Sequence, residues 1–352
     1  MNEDQTSAYH TCCKEVEKYK AARKEGQRYR GNPIFISGPG GTGKSFLLRA
    51  LRLKIHLELH EDLSDQTSVV GAPTGTAALN VDGDTIHHAL SLPIQQAFAT
   101  VDMGLSAKKR QALKNAYEKT HAFLFDEVSM INCNQLYQID QRLRAITGVV
   151  EPDVHFGGLL TFWFGDLRQL NPVAARRPYA DANPKVVGAA AVGIHLWRDL
   201  MLLSRLTKIE RQKDDQAYAE LLNRVRVEQF TDADLDVLRS RVIGSPGLEK
   251  ALEDPEVRDA VHLFPTNAAV AAHNETRLQD LLKEEKSKAV ASGQDPDSPA
   301  VHLCVKAFDD FDKNTGMTKD KYKGRFEALI PKQKDQTGAL PSEIHLVRGL
   351  PV

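Results

Sequence analysis

The run Gly38-Pro39-Gly40-Gly41-Thr42-Gly43-Lys44-Ser45 carries the spacing G-x-x-x-x-G-K-[ST]. Its glycines let the backbone wrap until successive N–H groups converge on phosphate oxygens. A helix opening directly after the loop adds partial positive charge. In such a loop Lys44 reaches the β- and γ-phosphates and the Ser45 hydroxyl ligates Mg²⁺. The expected cofactors are ATP and Mg²⁺, held by Gly38, Gly40, Gly41, Thr42, Gly43, Lys44 and Ser45. Further on, Phe123-Leu124-Phe125 ends in Asp126-Glu127, an apolar strand finishing in two carboxylates. Asp126 is expected to hold the metal through water, and Glu127 to orient or deprotonate the attacking water. Gln169, in Gly165-Asp166-Leu167-Arg168-Gln169-Leu170, can both donate and accept, which suits a sensor of the γ-phosphate. Arg211, in Glu210-Arg211-Gln212, is a candidate arginine finger acting across an inter-domain cleft. By residue type alone, a surface ion pair is the plainer reading of Arg211.

These groups need a scaffold, and the hydrophobic pattern supplies one. Ile34–Ser37, Ser68–Ala72, Ala122–Phe125 and residues 160–164 are continuous apolar or β-branched runs of strand length, as in strands buried on both faces of a parallel sheet. Between them, Leu48, Leu51, Ile55 and Leu59, then Leu136, Ile139, Leu143 and Ile146, recur at helical steps. Strands alternating with helices predict an α/β doubly wound domain. The second half is less regular. Residues 201–203 and 261–264 read as strands, Tyr218, Leu221, Leu222 and Val225 as a helix stripe, and Thr231 with Asp234 as a capping box. Residues 283–300 read as a solvated helix end and loop, and 308–341 as a long connecting segment.

Composition sets the bounds. The chain has 352 residues, a length suited to two domains, with 46 Lys+Arg against 47 Asp+Glu. A net charge of -1 excludes a uniformly basic nucleic-acid coat but not a local basic channel. The 4 cysteines, Cys12, Cys13, Cys133 and Cys304, fit neither zinc-finger nor disulfide spacing and read as reduced thiols. The polar N-terminus has no apolar signal core, and the longest apolar stretches, such as 186–194, are short of a membrane span. The expectation is an intracellular protein without a membrane partner.

In order along the chain, the blocks resemble the PIF-type (petite integration frequency) DNA helicases, RecD-like members of helicase superfamily one. Asn2-Glu3-Asp4-Gln5 is similar to the family's Q motif, with Gln5 in the adenine-reading position. Ala72-Pro73-Thr74-Gly75-Thr76-Ala77-Ala78 and Gly83-Asp84-Thr85-Ile86-His87 resemble its single-strand DNA contact motifs. Residues 129–146 resemble its signature helix, and Phe156-Gly157-Gly158 through Gly165–Val173 its third motif. Glu210-Arg211-Gln212 with Leu222-Asn223 resembles the fourth, and Pro265-Thr266-Asn267 with Asn274 a later block. The resemblance implies a RecA-like ATPase lobe over residues 1–195, with a small wedge-like insertion at about 85–120, and a partial second RecA-like lobe over 196–352. It also implies 5′→3′ movement on single-stranded DNA and DNA junctions. Thr74 and Gly75 would hold a DNA phosphate, and His87 a base or phosphate.

Family roles in repair, recombination or telomere maintenance would place the chain in the nucleus first and the mitochondrion second, with a monomer favoured. A structural histidine is an equal reading of His87 alone. Lys108, Lys109 and Arg110 read as a solvated helical face, and so do Arg176 and Arg177 beside a channel. The last motor motifs of the family, with their second arginine, do not occur, so the chain reads as a fragment with weak or no unwinding of its own. Two other readings stand beside the helicase. One is an ATP- and DNA-binding module without motor activity. The other is a small-molecule kinase, for which neither lid nor acceptor pocket is found.

Overall fold

A computed structural model describes residues 1–93, 105–173, 175–180, 185–212, 214–242, 260–306 and 343–348. The chain divides into two compact units, Met1–Arg239 and Ser240–Val352.

In the first unit the chain runs through α1 (Glu3–Lys24), β1 (Ile34–Ser37), α2 (Lys44–Leu59), β2 (Ser68–Ala72), α3 (Gly75–Asn80), β3 (Asp84–Thr85), α4 (Ile86–Ala89) and α5 (Ala107–Ala116). It continues through β4 (Ala122–Phe125), α6 (Cys133–Thr147), β5 (Leu160–Gly165), α7 (Ala189–Arg198), β6 (Leu202–Arg205), α8 (Gln216–Arg226) and α9 (Asp232–Arg239). The strands form one sheet in the order β3-β2-β4-β5-β1-β6, with every pairing parallel. This is the α/β architecture expected from the apolar runs.

Strand alternation sorts the core into two layers. Ile34, Ile36, Leu124, Phe162 and Phe164 face α1 and α2, where Val16, Leu47, Leu48, Leu51 and Ile55 meet them. Phe35, Phe123, Phe125 and Trp163 face the other way, onto Leu136, Ile139 and Leu143 of α6. Phe125 and Trp163 meet at a tilt of 30° with ring centroids 4.2 Å apart. The helix starts are written in the sequence. Asn2 with Gln5, and Asn132 with Gln135, form complete capping boxes at α1 and α6.

Two expectations change. The first compact unit extends past residue 195 to Arg239, because Leu202–Arg205 pairs in parallel with β1 and completes the same sheet. The stripe Tyr218, Leu221, Leu222 and Val225 is helical as expected, with Leu221 the one of the four that is buried. Residues 261–264 form no strand, since Val261 and Leu263 lie about nine-tenths exposed with no neighbouring strand among the described residues. Part of the wedge-like insertion, 94–104, lies outside the described residues, as does the connecting segment 308–341. The described part of the insertion holds α5, which buries none of its side chains and carries Lys108, Lys109 and Arg110.

The second unit contains α10 (Asn267–Ala291) and a two-stranded antiparallel ladder of β7 (His302–Lys306) and β8 (Glu343–Val347). Among the described residues it shows no parallel sheet.

Candidate nucleotide and DNA site

The loop after β1 makes its turn through left-handed backbone at Gly41 (φ 82°) and Gly43 (φ 83°), so glycine is required there. A Cβ on Gly43 would also sit 2.4 Å from Gln5 Nε2. Gln5 braces this turn. Its Nε2 donates to Thr42 O at 3.0 Å while its Oε1 accepts from Asn2 N at 3.0 Å. Thr42 is fully buried and its hydroxyl donates to Pro39 O at 2.9 Å. Lys44 Nζ donates to Gly38 O (2.8 Å) and Pro39 O (3.0 Å), so the ammonium lies across the concavity of its own loop. Ser45 is half-buried in the first turn of α2, beside it.

The sheet order sets what faces the loop. β5 lies between β1 and β4, so their carboxyl ends carry Gly38, Asp166 and Asp126 in a row. Two strand spacings, about 10 Å, separate the phosphate loop from Asp126. Burial pushes the carboxyl of Asp126 above its ordinary value, against the opposing pull of the Glu127 N–H and Lys44. Burial also raises that of Glu127, and the charge of Asp126 adds to it. Burial pulls Lys44 down, while Glu127, Asp126 and Asp166 act in the opposite sense. Glu127 itself stands in left-handed backbone (φ 50°, ψ 44°), strained for a side chain with a Cβ. Such strain is common where geometry serves chemistry. A cluster with more buried carboxylate than ammonium, beside a loop of converging N–H groups, fits a phosphate chain carrying a divalent cation.

Asp166 is already engaged. The Arg226 guanidinium from α8 grips it with both prongs, Nε to Oδ2 at 3.0 Å and Nη2 to Oδ1, and the Arg168 N–H adds 3.1 Å to Oδ1. This pair is part of the lining of a cavity of about 840 Å³, with Phe35, Gly38, Arg168 and Arg205. Gln169 is exposed on the turn after Asp166, tied through its backbone N–H to Asp166 O at 3.0 Å.

Arg211 was expected from the second lobe. It lies instead in the first unit, directly on the phosphate loop, because Glu210 N and Arg211 N both donate to Gly41 O, at 2.7 and 3.1 Å. Its side chain is exposed there. The N-terminus of α1 fastens this segment. Asn2 Nδ2 donates to Glu210 Oε1 at 2.6 Å, and Asp4 Oδ2 accepts from Thr207 Oγ1 (2.6 Å), Thr207 N (2.8 Å) and Lys208 N (3.3 Å). Those bonds hold the Asp4 carboxyl below its usual range. Neither this clasp nor the Asp166–Arg226 pair was legible in the sequence. Both join residues at least sixty positions apart, and no local spacing signals them.

The expected DNA contacts lie on the neighbouring strands. Thr74 caps α3, its hydroxyl accepting from Ala77 N at 3.3 Å, which leaves the hydroxyl hydrogen free to donate. Gly75 is exposed, with open space where a Cβ would be. His87 is half-buried on α4, within 3.4 Å of Gln135 Nε2 from α6, and burial lowers its pKa. Neutral His87 can therefore accept at one nitrogen and donate at the other. Arg176 contributes its carbonyl to Cys133 N at 2.9 Å, and Arg177 lies over the Tyr179 ring at 5.5 Å. No helix among the described residues is long and apolar enough to cross a membrane.

Comparison with known proteins gives this geometry a family. The "ATP-dependent DNA helicase PIF1" of Emericella nidulans is 29% identical over 265 residues, 75% of this chain and 33% of the relative. The protein of that name from Saccharomyces cerevisiae is 29% identical over 252 residues, 71% of this chain and 27% of the relative. The chain therefore spans about a third or less of the length of these relatives. Among solved structures, the Pif1 helicase from Candida albicans shares the fold, with a TM-score of 0.60 at 19% identity over 98% of this chain and 63% of that one. A Bacteroides Pif1 bound to ssDNA aligns with a TM-score of 0.50 at 22% identity, over 95% of this chain and 62% of that one. The family model for "PIF1-like helicase" matches residues 1–242, the whole of the first unit, and the chain belongs to that family.

Proposed function

We propose that this chain is the N-terminal portion of an ATP-dependent DNA helicase or translocase that moves 5′→3′ on single-stranded DNA. The observation that carries the reading is the placement of Lys44 among Glu127, Asp126 and Asp166 at the carboxyl ends of three adjacent strands. Such a site hydrolyses the bond to a γ-phosphate by position and charge. Lys44 leaves its carbonyl partners and meets the β- and γ-phosphates. Ser45 and Asp126 are the residues to hold Mg²⁺, which when bound neutralises phosphate charge. Glu127 takes the proton of the attacking water, and its raised pKa makes it the stronger base. Gln169 reports the γ-phosphate and Arg211 offsets developing charge. Gln5 reads the adenine while bracing Thr42.

Thr74, Gly75 and His87 hold the DNA strand, a partner supported by the family and by the relative solved with ssDNA. In this reading the second unit, Ser240–Val352, belongs to the second lobe. DNA junctions as substrates, roles in repair, recombination or telomere maintenance, and action in the nucleus or mitochondrion rest on the family alone.

The test is phosphate release by the 352-residue chain with and without single-stranded DNA, beside a Lys44→Ala control. DNA-stimulated release that the control lacks is the expected result. ATP and DNA binding with no turnover would instead favour a binding module without motor activity. Strong unwinding by this chain alone would overturn its reading as a partial motor.

A further inference from the structure

The ladder of the second unit gathers a thiol, two imidazoles and a carboxylate on one face. In its register Cys304 stands opposite His345, and Lys306 opposite Glu343. Because side chains alternate, His302, Cys304 and Lys306 share a face with Glu343 and His345. Donor atoms of Cys304, Glu343 and His345 all lie within 4.8 Å of one another. The Cys304 thiol is 3.9 Å from Glu343 Oε2, and His302 Nε2 is 3.0 Å from His345 Nδ1 with the two rings stacked. Lys306 Nζ lies 3.3 Å from Glu343, but both side chains are largely exposed and such a pair is weak.

We propose that this face is a Zn²⁺ site, with Cys304, His345 and Glu343 as ligands and His302 as the hydrogen-bonded support of His345. A thiolate, an imidazole and a carboxylate are the ligand types zinc takes. Its bond lengths of about 2.0–2.3 Å set ligand atoms roughly 3.3–3.8 Å apart, a small rotation from the separations found here. Binding displaces the thiol proton to solvent, and a hydrogen bond to the other ring nitrogen fixes a ligating histidine, a role His302 takes toward His345 at 3.0 Å. Three protein ligands leave the fourth position to water, and the role of the metal is to clip the two strands together. A two-stranded ladder is marginal by itself, and the link between these strands spans residues 307–342, so closing it costs entropy that a metal clip offsets. Nothing in this site depends on nucleotide or on the helicase reading.

The experiment titrates Co²⁺, then Zn²⁺, into the metal-stripped 352-residue chain with Mg²⁺ in excess. A cysteine ligand gives a thiolate-to-cobalt charge-transfer band in the near ultraviolet, which the nucleotide site, lacking cysteine, cannot. Cys12, Cys13 and Cys133 are buried in the first unit. One equivalent of Co²⁺ producing the band, displaced by one equivalent of Zn²⁺, is expected. Cys304→Ser should abolish the band. His302→Ala should keep it but weaken affinity by roughly 10–100-fold, the cost of losing an outer support, and His345→Ala should weaken it further. Absence of the band from the native chain, its persistence in Cys304→Ser, or a native affinity in His345→Ala overturns the site.

Discussion

Glu127 joins a strained backbone to a raised carboxyl, and both bear on what it does. With its ordinary value near 4.5 raised by burial and by Asp126, protonation removes the base at higher pH than for a free glutamate. Phosphate release should therefore fall as pH drops through that raised value. Glu127→Gln should retain ATP binding, lose about 10²–10⁴-fold in turnover and lose the acid limb; a pH profile of phosphate release shows both. Gln5 carries a different burden, as it caps α1 and pins Thr42 together. Gln5→Ala should cost about 1 kcal/mol of stability and weaken nucleotide affinity, read by denaturation and by fluorescent-nucleotide titration. His121 gives a pH effect of opposite origin. It is buried against the Tyr19 hydroxyl and Arg23, and burial pulls its pKa to about 4. Neutral His121 therefore contributes stability that is fully present above its ordinary 6.5 and is lost as pH falls toward 4. The loss is at most roughly 3 kcal/mol. In His121→Phe the fall in denaturation midpoint between pH 7 and pH 5 should shrink; an unchanged fall would exclude His121 as its source. The phosphate loop was legible residue by residue because its chemistry is local. His121 was not, since its partners come from α1.

At the scale of elements, the regular strands and the α6 stripe were readable because burial on both faces leaves an apolar run or a strict period. The apolar residues of β6 read as a strand, but nothing in them says which unit it joins. A short apolar run names no partner, and its pairing with β1 is settled by packing. Residues 261–264 misled for the same reason. The contact of α6 with α7 was invisible in the pattern. A Cβ on Gly193 would stand 1.9 Å from Cys133 O, so two helices meet backbone to backbone at that point. Gly193→Ala should force them apart and lower stability by about 1–3 kcal/mol, despite alanine's better helix propensity. A chemical denaturation curve decides it, and a neutral or stabilised variant would refute the close approach.

Across the whole molecule, the two units differ in how strongly their sequences speak. The first concentrates nucleotide chemistry, a six-stranded sheet and the family match in one stretch. The second is charged and irregular, and its donor cluster comes together only when β7 and β8 pair. The sixth strand has a practical consequence for anyone dividing this chain. Ending a fragment at residue 195 would strip β1 of one neighbour, leaving its N–H and C=O groups as an open edge. It would also remove the 207–211 clasp from the phosphate loop. Such an edge recruits strands from other molecules. Fragment 1–195 should therefore precipitate or run as soluble aggregate on size exclusion, while 1–239 elutes as a discrete species that still binds nucleotide.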